Sequence, residues 1–180
     1  MIISTEFQNL SILDQYFKLA HGYLEGSIKL CEAMIKGDYA LEYSNSRVVL
    51  HLCRQAVELY LKGAIYAATN THPKLGHRLD KLFVKYRELL PEAQFYFDIP
   101  FGFENANVPE EVITRFHETL DQRYRYPNDV KGVSFSGLEG FIPTLYITEL
   151  KKLSTFFINI ELEIKKRFEM YTINASDLKT

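Results

Sequence analysis

The sequence predicts an all-α protein, an up-and-down bundle of four main helices with one short helix. Apolar residues recur at steps of three and four in five separate segments, which is the spacing of one helical face. No segment carries a strand pattern of comparable strength, and the sequence shows no internal repeat. A chain of 180 residues is expected to form one domain, here residues 1–180 with a core from about residue 10 to residue 171.

The first two helices are predicted from about Leu10 to Ile35 and from Ser46 to Ala68. Gly37 stands where a glycine commonly ends a helix, and Ser44 or Asn45 is expected to cap the second helix. The second helix is apolar around most of its circumference, so we expect it at the centre of the bundle. Its polar residues follow one line, each a turn from the next, which we call the polar stripe: Arg47, His51, Arg54, Gln55, Glu58 and Lys62.

The remaining helices are predicted between proline and glycine signals. They run from about His77 to Leu90, from Pro109 to about Asp121 with Asn107 as the cap, and from Pro143 to about Tyr171. The tail from Asn174 onward is expected to be disordered. An aromatic segment, residues 95–103, is expected either to cover the bundle or to meet another chain.

Composition limits the classes of function. The net charge of -2 and the pI near 6.2 give no overall attraction to nucleic acid or anionic membranes, so a polyanion site must be local. Cys31 and Cys53 occupy apolar helical positions, which favours buried thiols over a disulfide. The first residues lack a signal-peptide pattern and no apolar run approaches ~20 residues, so we expect a soluble, cytoplasmic protein.

Three short motifs occur in a fixed order on this helical pattern. They are RQAVELYLKGAI from Arg54 to Ile65, HRLDKL from His77 to Leu82, and YRYPND from Tyr124 to Asp129. Together they resemble the HEPN family, the higher eukaryote and prokaryote nucleotide-binding domains, over roughly residues 10–171. The resemblance implies a compact helical bundle, commonly a homodimer. Members of that family include ribonucleases of toxin–antitoxin and defence systems, and non-catalytic partners of nucleotidyltransferases.

The catalytic members of the HEPN family use an Arg followed, after four to six residues, by a His. This chain departs from that pattern, because Arg47 and His51 have three residues between them and no His follows Arg123 or Arg125. Ribonuclease chemistry of this kind needs both groups beside the scissile phosphate. We therefore expect no catalytic residues, and the RYP motif indicates the non-catalytic branch of the family.

The candidate ligand-binding residues lie at the RYP turn and on the polar stripe. Two guanidinium groups beside an aromatic ring can hold a phosphate and stack a base. Alternatively, Arg125 pairs with a buried or edge carboxylate such as Glu58 and only fixes the turn, and the stripe is a solvated edge with a Glu58–Lys62 pair. His51 is expected to have a lowered pKa beside the arginines. The candidates are Arg123, Tyr124, Arg125, His51, Arg54, Glu58 and Lys62.

No cofactor or metal site is expected. His72 and His77 have no Cys, Asp or Glu at ligand spacing, and His77 is expected to cap its helix or bond a neighbouring backbone group. The resulting hypothesis is a binding module for a nucleotide, RNA or a nucleotidyltransferase partner. Two alternatives stay open: a metal-independent ribonuclease using His51 with Arg47 or Arg54, and a helical scaffold that assembles through the aromatic segment.

Overall fold

Six α-helices and one 3-10 turn form the structure, a computed structural model that describes residues 5–100, 108–135 and 140–177. Within those ranges no strand is present, and one isolated antiparallel bridge joins Asn128 to Ser134. The predicted all-α class is confirmed. The helices are α1 (Thr5–Gln8), α2 (Ile12–Lys36), α3 (Tyr43–Thr69), α4 (Leu79–Leu89), α5 (Glu110–Arg123) and α6 (Pro143–Asp177), with the 3-10 turn Ala93–Phe95 after α4.

Helix α3 lies at the centre of the bundle, as its apolar circumference predicted. It contacts α2, α4 and α6, and 13 of its 27 residues are buried. Helix α2 approaches it closely at Gly63, where an added Cβ would lie 2.9 Å from the Cβ of Tyr16. A glycine is needed there because no side chain fits between the two helices. The packing of α3 against three neighbours leaves little of it for solvent.

The ends of α2 and α3 follow the predictions in part. Gly37 ends α2 with a φ of 82°, and its N–H bonds to Ala33 and Met34 carbonyls. The capping prediction for α3 is wrong: the helix begins at Tyr43 after Glu42, which makes no side-chain cap bond. The Asn45 side chain instead donates to the Ala40 carbonyl at 2.9 Å, so it holds the link between α2 and α3.

The later helices differ from their predicted bounds. Helix α4 begins at Leu79 rather than at His77, and α5 extends to Arg123. The cap expected for α5, Asn107, lies outside the described residues. Helix α6 begins at Pro143 as predicted but continues to Asp177, so the disorder expected for residues 174–177 is wrong. Extending a formed helix adds one hydrogen bond for each residue fixed, whereas starting one is costly.

The first part of the aromatic segment covers the bundle. Phe95 and Phe97 are buried, and the Tyr86 hydroxyl donates to the Phe95 carbonyl at 2.7 Å. Phe97 meets the ring of Tyr60 edge-on at 6.1 Å between centroids. This confirms the intramolecular alternative for these residues; Phe101 and Phe103 lie outside the described residues.

Both cysteines are buried free thiols. Cys31 and Cys53 are each 0% exposed, in agreement with the expectation from their helical positions. Burial raises the pKa of the Cys53 thiol to about 12, so it is protonated and unreactive at neutral pH.

Candidate functional site

The polar stripe of α3 is covered at its two ends by different parts of the chain. The turn after α5, which carries the RYP motif, contacts the beginning of the stripe through Arg47. The loop between α3 and α4 contacts the far end through His77, which bonds to Glu58. The two ends of the stripe therefore have different partners, and His51 lies between them in the helix.

The far end of the stripe is a buried ion cluster centred on Glu58. Arg54 and Glu58 are each only 1% exposed. Arg54 Nη2 donates to Glu58 Oε2 at 2.8 Å, and Lys62 Nζ donates to Oε1 at 2.7 Å. The ring of His77 meets the same Oε1 at 2.8 Å. The solvated-edge alternative is therefore wrong for Arg54 and Glu58, because the loop before α4 closes over them.

Neighbouring cations keep the buried carboxylate charged. Burial by itself would raise the pKa of Glu58, but the hydrogen bond from Lys62, the charges of Arg54 and Lys62 and the bond to His77 together lower it. The same bond corrects the prediction for His77, whose ring binds Glu58 rather than capping α4. Arg54 Nη2 also donates to the His77 carbonyl at 2.8 Å, so the guanidinium joins the central helix to the loop before α4.

The RYP turn begins as α5 ends. The amides of Arg125 and Tyr126 both donate to the Gln122 carbonyl at 2.9 Å, which turns the chain back towards α3. Arg125 Nε donates to the Asp121 carbonyl at 2.6 Å, and its Nη2 lies 3.4 Å from the Asp121 carboxylate. Arg125 therefore pairs with a carboxylate at the turn, as one alternative predicted. The partner is Asp121 and not Glu58, which is bonded to Arg54, Lys62 and His77.

Arg47 joins α3 to this turn. Its Nη2 donates to the Tyr126 carbonyl at 3.1 Å and its Nη1 to the Tyr43 hydroxyl at 2.6 Å. The guanidinium lies 5.2 Å from the ring centre of Tyr43 and 5.9 Å from that of Tyr124. Arg125 lies 5.2 Å from the ring centre of Tyr126. We call the exposed part of this group, Tyr43, Arg47, Arg125 and Tyr126, the tyrosine–arginine platform.

The platform presents aromatic and cationic groups to solvent together. Tyr43 is 63% exposed and Tyr126 is 51% exposed, whereas Tyr124 is buried beneath them. Tyr124 therefore packs against the protein, and the rings available to a ligand are those of Tyr43 and Tyr126. A tyrosine ring attracts a guanidinium without neutralising its charge. This applies fully to Arg47, whereas Arg125 also pairs with Asp121.

His51 and Arg123 lie close to the platform without forming its surface. Burial, together with the charges of Arg54 and Arg125, lowers the pKa of the half-buried His51, so its imidazole is neutral at pH 7. This agrees with the direction predicted from the sequence. The Arg123 guanidinium lies 4.9 Å from the ring centre of Phe116 and 5.3 Å from that of Phe135, where it packs against the segment after α5.

The described residues form neither a metal-binding cluster nor a membrane-spanning helix. In residues 5–100, 108–135 and 140–177, no group of three or more His, Cys, Asp or Glu side chains is arranged to hold a metal ion. Over the same ranges, no helix combines the length and the apolar character needed to cross a membrane.

Sequence reasoning missed Tyr43 and Tyr126 as candidate site residues and gave His77 a different role. The signal for Tyr43 was present, since it precedes Arg47 by four residues, but the helix was predicted to start after it. The pairing of His77 with Glu58 had no local signal because the two are 19 residues apart. Comparison with protein-family models, curated proteins and solved structures found no match to this chain.

Proposed function

We propose that this protein is a non-catalytic binding module that takes single-stranded RNA or a nucleotide on the tyrosine–arginine platform. The observation that supports it best is the state of Arg47. It lies against two tyrosine rings, and among the described residues no carboxylate lies within ion-pair distance of its guanidinium. A phosphate would supply the missing negative charge, with bidentate hydrogen bonds if Arg47 releases one of its present partners.

The exposed rings give the second part of the binding chemistry. Unpaired bases stack on tyrosine faces, and each stacked base contributes about 1–3 kcal/mol to binding. Arg47 bonds to the Tyr43 hydroxyl and to the Tyr126 carbonyl, so it joins the two segments that carry the exposed rings. A base stacked on either ring would lie close to a guanidinium that can meet its phosphate. A duplex keeps its bases inside the helix, so the arrangement favours single strands or free nucleotides.

The resemblance to the HEPN family adds further proposals about partners. It implies a homodimer and, for the non-catalytic branch, a nucleotidyltransferase partner. Light scattering on the purified protein tests the homodimer, and co-purification with a nucleotidyltransferase encoded beside it tests the partner. A monomer at all concentrations, or no association with that enzyme, would contradict the respective proposal.

The direct test measures RNA binding by fluorescence polarisation with a short labelled single strand. Arg47→Gln is expected to weaken binding about tenfold, and Tyr126→Ala by a similar factor. Arg87→Gln is the matched control, since Arg87 also lies over a tyrosine ring, at 5.4 Å from the centre of Tyr96, and donates to backbone carbonyls. Equal losses for Arg47→Gln and Arg87→Gln would reject the platform as the binding site.

A metal-independent ribonuclease is a second candidate, favoured by the neutral imidazole of His51 one turn from Arg47. A neutral imidazole can accept the proton of a ribose hydroxyl. Arg54 cannot assist from its present position, because it is buried and bonded to Glu58 and His77. RNA cleavage that is lost in His51→Ala while the fold is retained would replace the binding proposal with this one.

A further inference from the structure

His77 is an exposed histidine whose position is fixed by buried groups. Its side chain is 60% exposed, yet its Nδ1 lies 2.8 Å from Glu58 Oε1. Its backbone carbonyl accepts from Arg54 Nη2, also at 2.8 Å. Both anchors are 1% exposed and belong to the central helix α3. An exposed side chain normally rotates freely. The His77 ring is instead fixed by Glu58 and Arg54 before any ligand binds, as in preorganised binding sites.

The hydrogen bond to Glu58 determines which ring nitrogen is available. A carboxylate only accepts hydrogen bonds, so the Nδ1 of His77 carries a hydrogen and donates to Glu58. The second nitrogen, Nε2, makes no hydrogen bond with any described residue. Nε2 is therefore the ring nitrogen left for a ligand: it accepts a hydrogen bond in the neutral imidazole and donates one in the imidazolium.

The cluster around Glu58 contains more basic groups than carboxylates. Arg54, Lys62 and His77 all bond to the single carboxylate of Glu58. Lys62 and His77 share one oxygen of it, so the ammonium and the imidazole are neighbours. Throughout the described parts of the chain, no second carboxylate lies within ion-pair distance of these three groups. Arg54 and Lys62 are two cations around one carboxylate, and a bound anion would balance the excess positive charge.

We infer that His77 and Lys62 form a binding site for a phosphate group, separate from the tyrosine–arginine platform. The free hydrogens of Lys62 Nζ donate to the phosphate oxygens. His77 Nε2 accepts from a protonated phosphate oxygen or, as the imidazolium, donates to an unprotonated one, and Glu58 holds both side chains in place. The inference stands on these contacts and does not depend on RNA binding at Arg47.

The test titrates the full-length protein with inorganic phosphate and follows the His77 ring and the amides of residues 78–80 by NMR. Saturable shifts confined to this loop are expected for the wild type. Lys62→Met keeps the aliphatic stem and removes the ammonium, and should weaken phosphate binding at least tenfold. His77→Gln is expected to weaken it similarly, as read from the amides, and circular dichroism checks that this variant keeps the fold.

Lys29→Met is the matched control. Lys29 also pairs with a glutamate four residues earlier on a helix, but at an exposed site without a histidine. It should leave phosphate binding unchanged. Shifts that do not saturate, or equal binding by wild type, Lys62→Met and His77→Gln, would overturn the inference. Should Lys62→Met fail to fold, His77→Gln alone decides between these outcomes.

Two further experiments distinguish this site from the tyrosine–arginine platform and identify the kind of molecule that carries the phosphate. Arg47→Gln should leave the shifts at His77 intact, so loss of RNA binding and loss of phosphate binding can be told apart. A nucleoside monophosphate offers a monoester, and a dinucleoside phosphate offers the diester of an RNA strand. If the nucleoside monophosphate binds more tightly than the dinucleoside phosphate, the site is one for nucleotides. If the two ligands bind equally, the site is one for the RNA backbone. If neither ligand shifts the His77 loop, the inference is contradicted.

Discussion

Replacing Glu58 with glutamine should destabilise the protein more than any surface substitution. The amide keeps the shape of the side chain but removes the charge and leaves one acceptor oxygen for the donors of Arg54, Lys62 and His77. Arg54 would then be a buried cation without its counter-ion, at 1% exposure. Breaking a buried ion pair from one side costs about 3–5 kcal/mol, which for a chain of this size lowers the melting temperature by roughly 6–20 °C.

The pH dependence of this loss follows from the lowered pKa of Glu58. A carboxyl whose pKa is lower in the folded than in the unfolded state stabilises the protein fully above its unfolded value, here about 4.5. The contribution declines as the pH falls through the lower, folded pKa, because both states are then protonated. The difference in unfolding free energy between wild type and Glu58→Gln should therefore be constant at neutral pH and shrink in acid.

The assay is urea unfolding followed by circular dichroism, from neutral pH down to pH 3, for wild type and Glu58→Gln. A double variant, Arg54→Met with Glu58→Leu, is the control, since removing both charges together should recover most of the stability. A loss below about 1 kcal/mol, or a difference that does not shrink in acid, would refute the account of the cluster.

Three further substitutions test the packing of α2 and α3. Gly63→Ala should lower the free energy of unfolding by about 1–3 kcal/mol, because the new Cβ would lie 2.9 Å from the Cβ of Tyr16. Gly22→Ala should raise it by about 1 kcal/mol, because nothing lies within 4 Å of its new Cβ. Thermal unfolding measures both. A neutral Gly63→Ala would show that α2 can move away from α3. Tyr60→Phe should leave stability unchanged or slightly higher, since the buried Tyr60 hydroxyl bonds to no described residue. A loss above about 1 kcal/mol would reveal a partner for that hydroxyl.

Local patterns predicted the fold well because the periodicity of each helix reports its own buried face. The central place of α3 followed from its apolar circumference, and the end of α2 followed from Gly37. The start of α3 was less predictable, because Asn45 had a backbone partner in the preceding link that competes with capping. The position of a helix end depends on which of several nearby backbone groups a polar side chain bonds to.

The candidate sites were only partly predictable because they combine residues distant in the sequence. The polar stripe was visible in the helical spacing, but its division depends on two loops that close over it. His77 reaches Glu58 across 19 residues and Arg47 reaches Tyr126 across 79. Charge alone could not show that Arg54 is buried while Arg47 is partly exposed. That distinction decides which arginine can meet a ligand.

The salt dependence of RNA binding is the most direct test of a phosphate contact at Arg47. For single strands, the logarithm of the binding constant falls with the logarithm of salt concentration by about 0.7 for each phosphate neutralised. With Arg47 and Arg125 both in contact, the slope should be about -1.4, and Arg47→Gln should halve it to about -0.7. A slope that Arg47→Gln leaves unchanged, or binding insensitive to salt, would contradict the account.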